Sequence, residues 1–173
     1  SMRAGLRSLR GLGVHTWVAG RLPESLSHGR ALLELAEKVA DPALRLQGHG
    51  GIGSVLLHSG GLDGARQHLE AGVALVGDAP PDTVSVQNAE VTCVAYSAWV
   101  AALQGRTSAM HEHVAHCAAL SERIANPFSV AIYQSLCSDV LMCAGDVDGC
   151  ASLAEKAIEV SKAQRYPFWL GTG

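Results

Sequence analysis

Apolar residues recur at three- and four-residue spacing through most of the chain, with charged residues between them. Leu32, Leu33, Leu35, Ala36 and Val39 make one stripe, and Glu34, Glu37 and Lys38 fall beside it. This is the period of a helix that buries one face. Val114, Cys117, Ala118, Leu120, Ser121 and Ile124 repeat the pattern, as do Leu153, Ala154, Ala157, Ile158 and Val160. The spacing predicts eight helices in four pairs. The first arms cover 5–19, 43–59, 87–104 and 128–144, and the second arms 22–40, 62–77, 107–125 and 147–164. No regularly alternating segment lies between them, so the expected class is all-α.

Glycines punctuate the pairs. Gly20, Gly60, Gly105 and Gly145 each end a first arm, at intervals of 40, 45 and 40 residues. Two residues later the column is Leu22, Leu62, Thr107 and Val147; five residues later it is Ser25, Ala65, Met110 and Cys150. Small residues let two antiparallel helices approach, and glycine takes the positive φ that a tight turn between them needs. Three units end at a proline, in Asp41-Pro42, Asn126-Pro127 and Tyr166-Pro167. Proline fits the first turn of a new helix and ends the one before it. The segment Gly77-Asp-Ala-Pro-Pro-Asp-Thr-Val84 breaks helix with paired prolines and accounts for the longer interval.

Self-similarity at this period implies stacked supersecondary units that bury their apolar faces on one another. The expected organisation is one repeat domain over 1–173, with units 5–40, 43–77, 87–125 and 128–164, and a further unit beginning at 166–173. The opening Ser1-Met2 reads as an expression scar. If the chain stops before the next helix forms, Leu153, Ala157 and Val160 are left partly uncovered. That predicts self-association at the C-terminal end, or a Phe168-Trp169 tail folded over the patch.

Composition narrows the function class. The 173 residues are 48% hydrophobic and 5% aromatic, enough for a substantial core. Thirteen basic and 16 acidic residues give a net charge of −3 without long blocks of one sign, so neither nucleic acid nor an anionic membrane is indicated as a partner. No apolar run reaches the ~18 residues of a membrane span. The five cysteines are odd in number and form no Cys-x-x-Cys pair, which points to a reducing, cytoplasmic compartment and to packing roles.

The small-residue column, glycine turn and proline end resemble a tetratricopeptide (TPR) array with units longer than the standard of about 34 residues. More specific are Ala36-Glu-Lys-Val-Ala-Asp-Pro42, Leu120-Ser-Glu-Arg-Ile-Ala-Asn-Pro-Phe-Ser129 and Arg165-Tyr-Pro-Phe-Trp-Leu-Gly171. These blocks resemble the C-terminal repeats of large bacterial signalling ATPases, in which a cyclase or DNA-binding regulator domain precedes an ATPase module and then tetratricopeptides. The resemblance implies a right-handed α-α superhelix of about four hairpins. It also implies a non-catalytic role in protein interaction and regulation, within a parent that carries the cyclase or ATPase activity.

Several motifs test that expectation. Gly48-His-Gly50-Gly-Ile-Gly53 has the spacing of a dinucleotide-binding loop, but no strand precedes it and it falls inside a predicted helix, where glycines serve close helix crossing. His111, His113, His116 and Cys117 are the densest set of metal-ligand types, with His113 and Cys117 four apart. Cys117 is already claimed by an apolar stripe, so no metal or other cofactor is expected. His28, His68 and His113 share a repeat column, spaced too far along the stack for one metal. No Gly-x-Ser-x-Gly elbow occurs, and no catalytic residue is assigned.

In tetratricopeptide pairs the first helices line the concave side, so the resemblance places a partner there. Polar and aromatic candidates on these arms are His15, Trp17, Gln47, His58, Gln87, Glu90, Tyr96, Trp99, Gln134 and Asp139. Aromatic rings would anchor an apolar side chain, and amides and carboxylates would select polar groups. The expected partner is a protein, a peptide or another domain of the same parent chain. The alternatives are a small-ligand sensor using the same face and, behind it, a metal-dependent site at the His/Cys cluster.

Overall fold

The computed structural model describes residues 2–77 and 88–171, and the segment around Pro80-Pro81, with Gln87, lies outside them. The chain divides into two compact units, 1–83 and 84–173. The first holds α1 (Met2–Val18), α2 (Leu22–Lys38), α3 (Pro42–His58) and α4 (Leu62–Val73). The second holds α5 (Ala89–Leu103), α6 (Thr107–Ile124), α7 (Pro127–Cys143), α8 (Val147–Gln164) and the single turn α9 (Pro167–Leu170). No strand occurs among the described residues. Successive helices pack in hairpins, and within each unit the two first arms also touch, α1 on α3 and α5 on α7.

One device closes every hairpin. Gly20, Gly60, Gly105 and Gly145 adopt φ of 74°, 79°, 69° and 80°. The next amide donates back across the helix end: Arg21 to Thr16, Gly61 to Leu56 and Arg106 to Ala101, each at 2.8 Å, and Asp146 to Leu141 at 2.9 Å. This Schellman arrangement satisfies carbonyls that a helix C-terminus leaves without partners. The next helix then starts two residues after the glycine. Hand-over from one hairpin to the next uses a left-handed residue that is not glycine, Ala40 at φ 51°, Ala125 at 50° and Arg165 at 58°. In each case a proline-led helix follows. Asp41 accepts from the Leu44 amide at 3.1 Å, and Asn126 from Phe128 and Ser129 at 2.9 and 3.2 Å, capping α3 and α7.

The small-residue column lies where the helices meet. Ala65 is wholly buried and Met110 nearly so, while the Ser25 hydroxyl donates to the Gly13 carbonyl of α1 at 2.9 Å. Helix α4 stops at Val73, four residues short of the sequence expectation. Gly72 and Gly77 flank its end, and Leu75 and Val76 instead donate to carbonyls three residues back, in a turn. Of the two C-terminal outcomes expected, the uncovered patch is corrected, and the 167–170 turn packs on α8 and α7. Residues 167–170 do form a helical turn, and Phe128 of α7 meets Tyr166 and Trp169 edge-on at 5.1 and 6.1 Å. Leu153 and Ala157 are buried, not left open, because α8 packs along α7 and α9; Val160 is half-buried.

Candidate functional site

In the second unit the first arms, α5 and α7, differ from the second arms in how little of them is open. Between Val91 and Ala101 only Thr92 and Trp99 escape burial, and between Ala131 and Leu141 only Tyr133 and Asp139. Exposure returns at the C-terminal ends of these helices, next to the turn glycines. There Leu103 is 49% and Met142 61% exposed, and Cys143 is exposed too. In the first unit Val14 and Val18 stand out similarly, at 46% and 72%. These aliphatic side chains are not among the polar and aromatic candidates expected from the sequence. Their signal was an apolar residue just before the turn glycine and off the inward stripe.

Within the first unit Trp17 and His58 come together, their rings edge to face at 5.3 Å. His58 Nδ1 donates to the Ser54 carbonyl at 2.7 Å, which fixes the ring across the end of α3. Gln47 is half-buried on the same helix. His15 is exposed, and its side chain joins no hydrogen bond or ring contact among the described residues.

In the second unit Tyr96 and Trp99 stack at 6.3 Å with 15° between their planes. Tyr96 is 4% exposed, and burial pushes its phenol up to about 12. Its role is to back Trp99, which is half-buried. Glu90 pairs with Arg123 of α6 at 3.0 Å and ties α5 to its hairpin partner. Gln134 is buried, with a carboxamide oxygen that has no hydrogen-bond partner among the described residues. Asp139 is half-buried, and burial raises its carboxyl above the ordinary range. Gln87 lies outside the described residues.

The motifs weighed for cofactors have other duties. Gly48, Gly50 and Gly53 sit mid-helix in α3, and a Cβ on Gly48 or Gly53 would press on Leu33 or Leu69 of the neighbouring helices. They are helix-crossing points. Cys117 is buried, and its thiol donates to the Val91 carbonyl at 3.5 Å. Its pKa is raised first by a hydrogen bond with Cys137 and then by burial, the opposite of what a metal-binding thiolate needs. His111 and His116 are exposed and His113 half-buried. Among the described residues no three His, Cys, Asp or Glu side chains converge on a metal position.

One pairing was not visible in the sequence. His49 of α3 and His68 of α4 bring their Nδ1 atoms to 3.2 Å, with ring centroids 5.3 Å apart. Burial is the main reason that both pKa values fall below 6.5; His68 and Arg45 add to the effect on His49, against Glu37, and Arg30 adds to it on His68. A depressed folded-state pKa means that the unfolded chain takes up protons first. Stability is therefore full above the ordinary histidine value and declines as pH falls through it towards the folded values. Melting temperature should drop between pH 7.5 and pH 5, and His68→Asn should flatten that dependence. Equal pH slopes for the two proteins would show that the pair does not carry it.

No protein-family model and no curated protein sequence matches the chain. Its fold is similar to that of a Podosopora anserina protein assigned as a kinesin light chain, built of nearly identical TPR-like repeats. The TM-score is 0.58 at 17% identity, over 92% of this chain and 77% of that one. The crystal structure of a point variant of the same repeats gives 0.61 at 17% identity, over 92% and 76%. The architecture is therefore that of TPR-like helical repeats, all-α and assembled from hairpins.

Proposed function

We propose that this chain is a non-catalytic interaction and regulatory module that receives a protein segment on its first-arm helices. The observation that carries this is the grouping of apolar and aromatic side chains near the turn ends of those arms: exposed Val18 with half-buried Trp17 in one unit, exposed Leu103 and Met142 with half-buried Trp99 in the other. Most of their neighbours on α5 and α7 are buried. Such rings in otherwise closed surroundings are what binding energy concentrates on. The TPR-like architecture supports the same role. The blocks ending at Pro42, Ser129 and Gly171 support a parent of the bacterial signalling or transcription-regulating ATPase type, with the partner either a separate protein or another domain of that parent. A cytoplasmic setting fits five free thiols, and no helix among the described residues is long and apolar enough to cross a membrane.

The test is a selection of displayed peptides on the folded chain, followed by amide chemical-shift mapping of the best binders. Saturable binders should move resonances of α1 and α3 or of α5 and α7, and Trp17→Ala or Trp99→Ala should weaken them. Binders that map only to α2, α4, α6 and α8, or a selection that yields none, would overturn the proposal.

A further inference from the structure

Three basic side chains of the first unit have a glutamate within reach: Arg21 pairs with Glu24, Lys38 with Glu34 and Arg66 with Glu70. Arg30 of α2 and Arg45 of α3 differ. Neither forms a hydrogen bond or ion pair among the described residues, and the Nε of Arg45 is buried without an acceptor. Both stand beside the His49 and His68 pair. Arg45 lies one helical turn before His49 on α3. Arg30 follows Gly29, where α2 comes so close to α3 that a Cβ would be 3.0 Å from Ile52 Cγ1. After burial, His68 and then Arg45 lower the pKa of His49, and Arg30 lowers that of His68. The acid that acts on the pair is Glu37 of α2, which is exposed. Helix α4 brings His68 itself, its Arg66 being taken by Glu70, and no charge of α1 acts on the pair among the described residues.

The two rings meet through Nδ1 at 3.2 Å, and neither Nε2 has a hydrogen-bond partner among the described residues. With both rings neutral, one Nδ1 carries the proton and the other accepts it, so a single Nε2 of the two is a donor. A proton taken up at the other Nε2 leaves the Nδ1 contact intact. The pair then offers two Nε2–H donors and a positive charge, with two arginines beside it. Donors grouped in this way on three helices suit a ligand that only accepts, through several oxygens, and carries more than one negative charge.

We propose that Arg30, Arg45, His49 and His68 form a site for a doubly charged tetrahedral oxyanion, either free phosphate or the phosphoryl group of a partner's phosphorylated serine or threonine. Arg30 and Arg45 against Glu37 leave one net positive charge, and the protonated pair makes it two, the match for a dianion. Binding therefore strengthens as pH falls through the histidine range, and the bound anion offsets the acid destabilisation of the pair.

Proton NMR of the imidazole rings in the intact chain tests it. Sodium sulfate is the probe, because sulfate stays doubly charged across the histidine range, and sodium chloride at equal ionic strength is the reference. Saturating sulfate should raise the apparent pKa of the pair by about one unit, which corresponds to about tenfold tighter binding to the protonated pair. Arg30→Gln, at an exposed position, should leave the melting temperature in chloride unchanged and weaken sulfate binding about tenfold, the scale of a charge-assisted hydrogen bond. Arg45→Gln should weaken it similarly, and Glu37→Gln should tighten it. N-acetyl-phosphoserine amide then separates the two sources. Tighter binding than inorganic phosphate assigns the site to a phosphorylated partner, and equal or weaker binding assigns it to the free ion. An unchanged pKa in sulfate, a rise that survives both arginine variants, or a pair that responds to zinc and not to sulfate would overturn the proposal.

Discussion

Gly53→Leu should unfold the first unit at markedly lower denaturant than the parent chain, whereas Gly51→Ala, two residues away on the same helix, should stabilise it. A Cβ on Gly53 would lie 2.5 Å from Leu69 Cγ and 2.7 Å from its Cδ2, and Leu69 is itself fully buried. Neither side chain has room to yield. Overfilling a contact of this kind costs about 1–3 kcal/mol and sometimes more, and a whole isobutyl group belongs at the upper end. The clash outweighs the helix propensity gained, which is ~1 kcal/mol on leaving glycine. Gly51 is exposed with nothing within 4 Å of its Cβ position, so Gly51→Ala keeps that gain, roughly 0.5–1 kcal/mol. Urea midpoints followed by circular dichroism would separate the two variants. Shifts of the same sign would show that α3 and α4 do not meet at Gly53.

The glycines of α3 also show which parts of this molecule are legible in a sequence. Helix positions and hairpin turns follow from spacing within a single segment. The structure sets the turn glycines and the proline-led starts where that spacing put them. The end of α4 did not follow, since the apolar residues Leu75 and Val76 continue a helical pattern that Gly72 and Gly77 interrupt. Left-handed Ala40, Ala125 and Arg165 were hidden for a related reason: alanine and arginine carry no signal for positive φ, and the neighbouring proline-led helix imposes it.

Site chemistry was less legible, because it depends on contacts between helices. Trp17 and His58 are 41 positions apart in the chain, and their meeting depends on α1 packing on α3. The same holds for His49 with His68 and for Glu90 with Arg123, a carboxylate that looked open to a partner until its ion pair was seen. Asp139 shows the reverse. Nothing in its sequence neighbourhood marks it out from a solvated acid, yet the fold half-buries it and so raises its carboxyl above the ordinary range.

Ile132→Ala should destabilise the second unit by about 2–5 kcal/mol, the range for cutting a large aliphatic side chain in a packed core. Ile132 is fully buried on α7, the helix that touches α5, α6, α8 and α9, so a cavity there loosens most of the unit's contacts at once. The core around it contains little surplus. Ser129, Gln134 and Ser135 of the same helix are buried, each with a side-chain oxygen that lacks a hydrogen-bond partner among the described residues. Polar atoms in that state subtract from stability, and the apolar groups beside them must offset the loss. This gives an internal control at equal depth. Ser135→Ala removes one of the unsatisfied hydroxyls and leaves almost no void, so it should be neutral or slightly stabilising even though Ser135 is as buried as Ile132. Hydrogen exchange within 88–171 and urea midpoints would measure both. If Ser135→Ala costs as much as Ile132→Ala, the hydroxyl is satisfied in solution, and α7 is held by a polar network rather than by its aliphatic side chains.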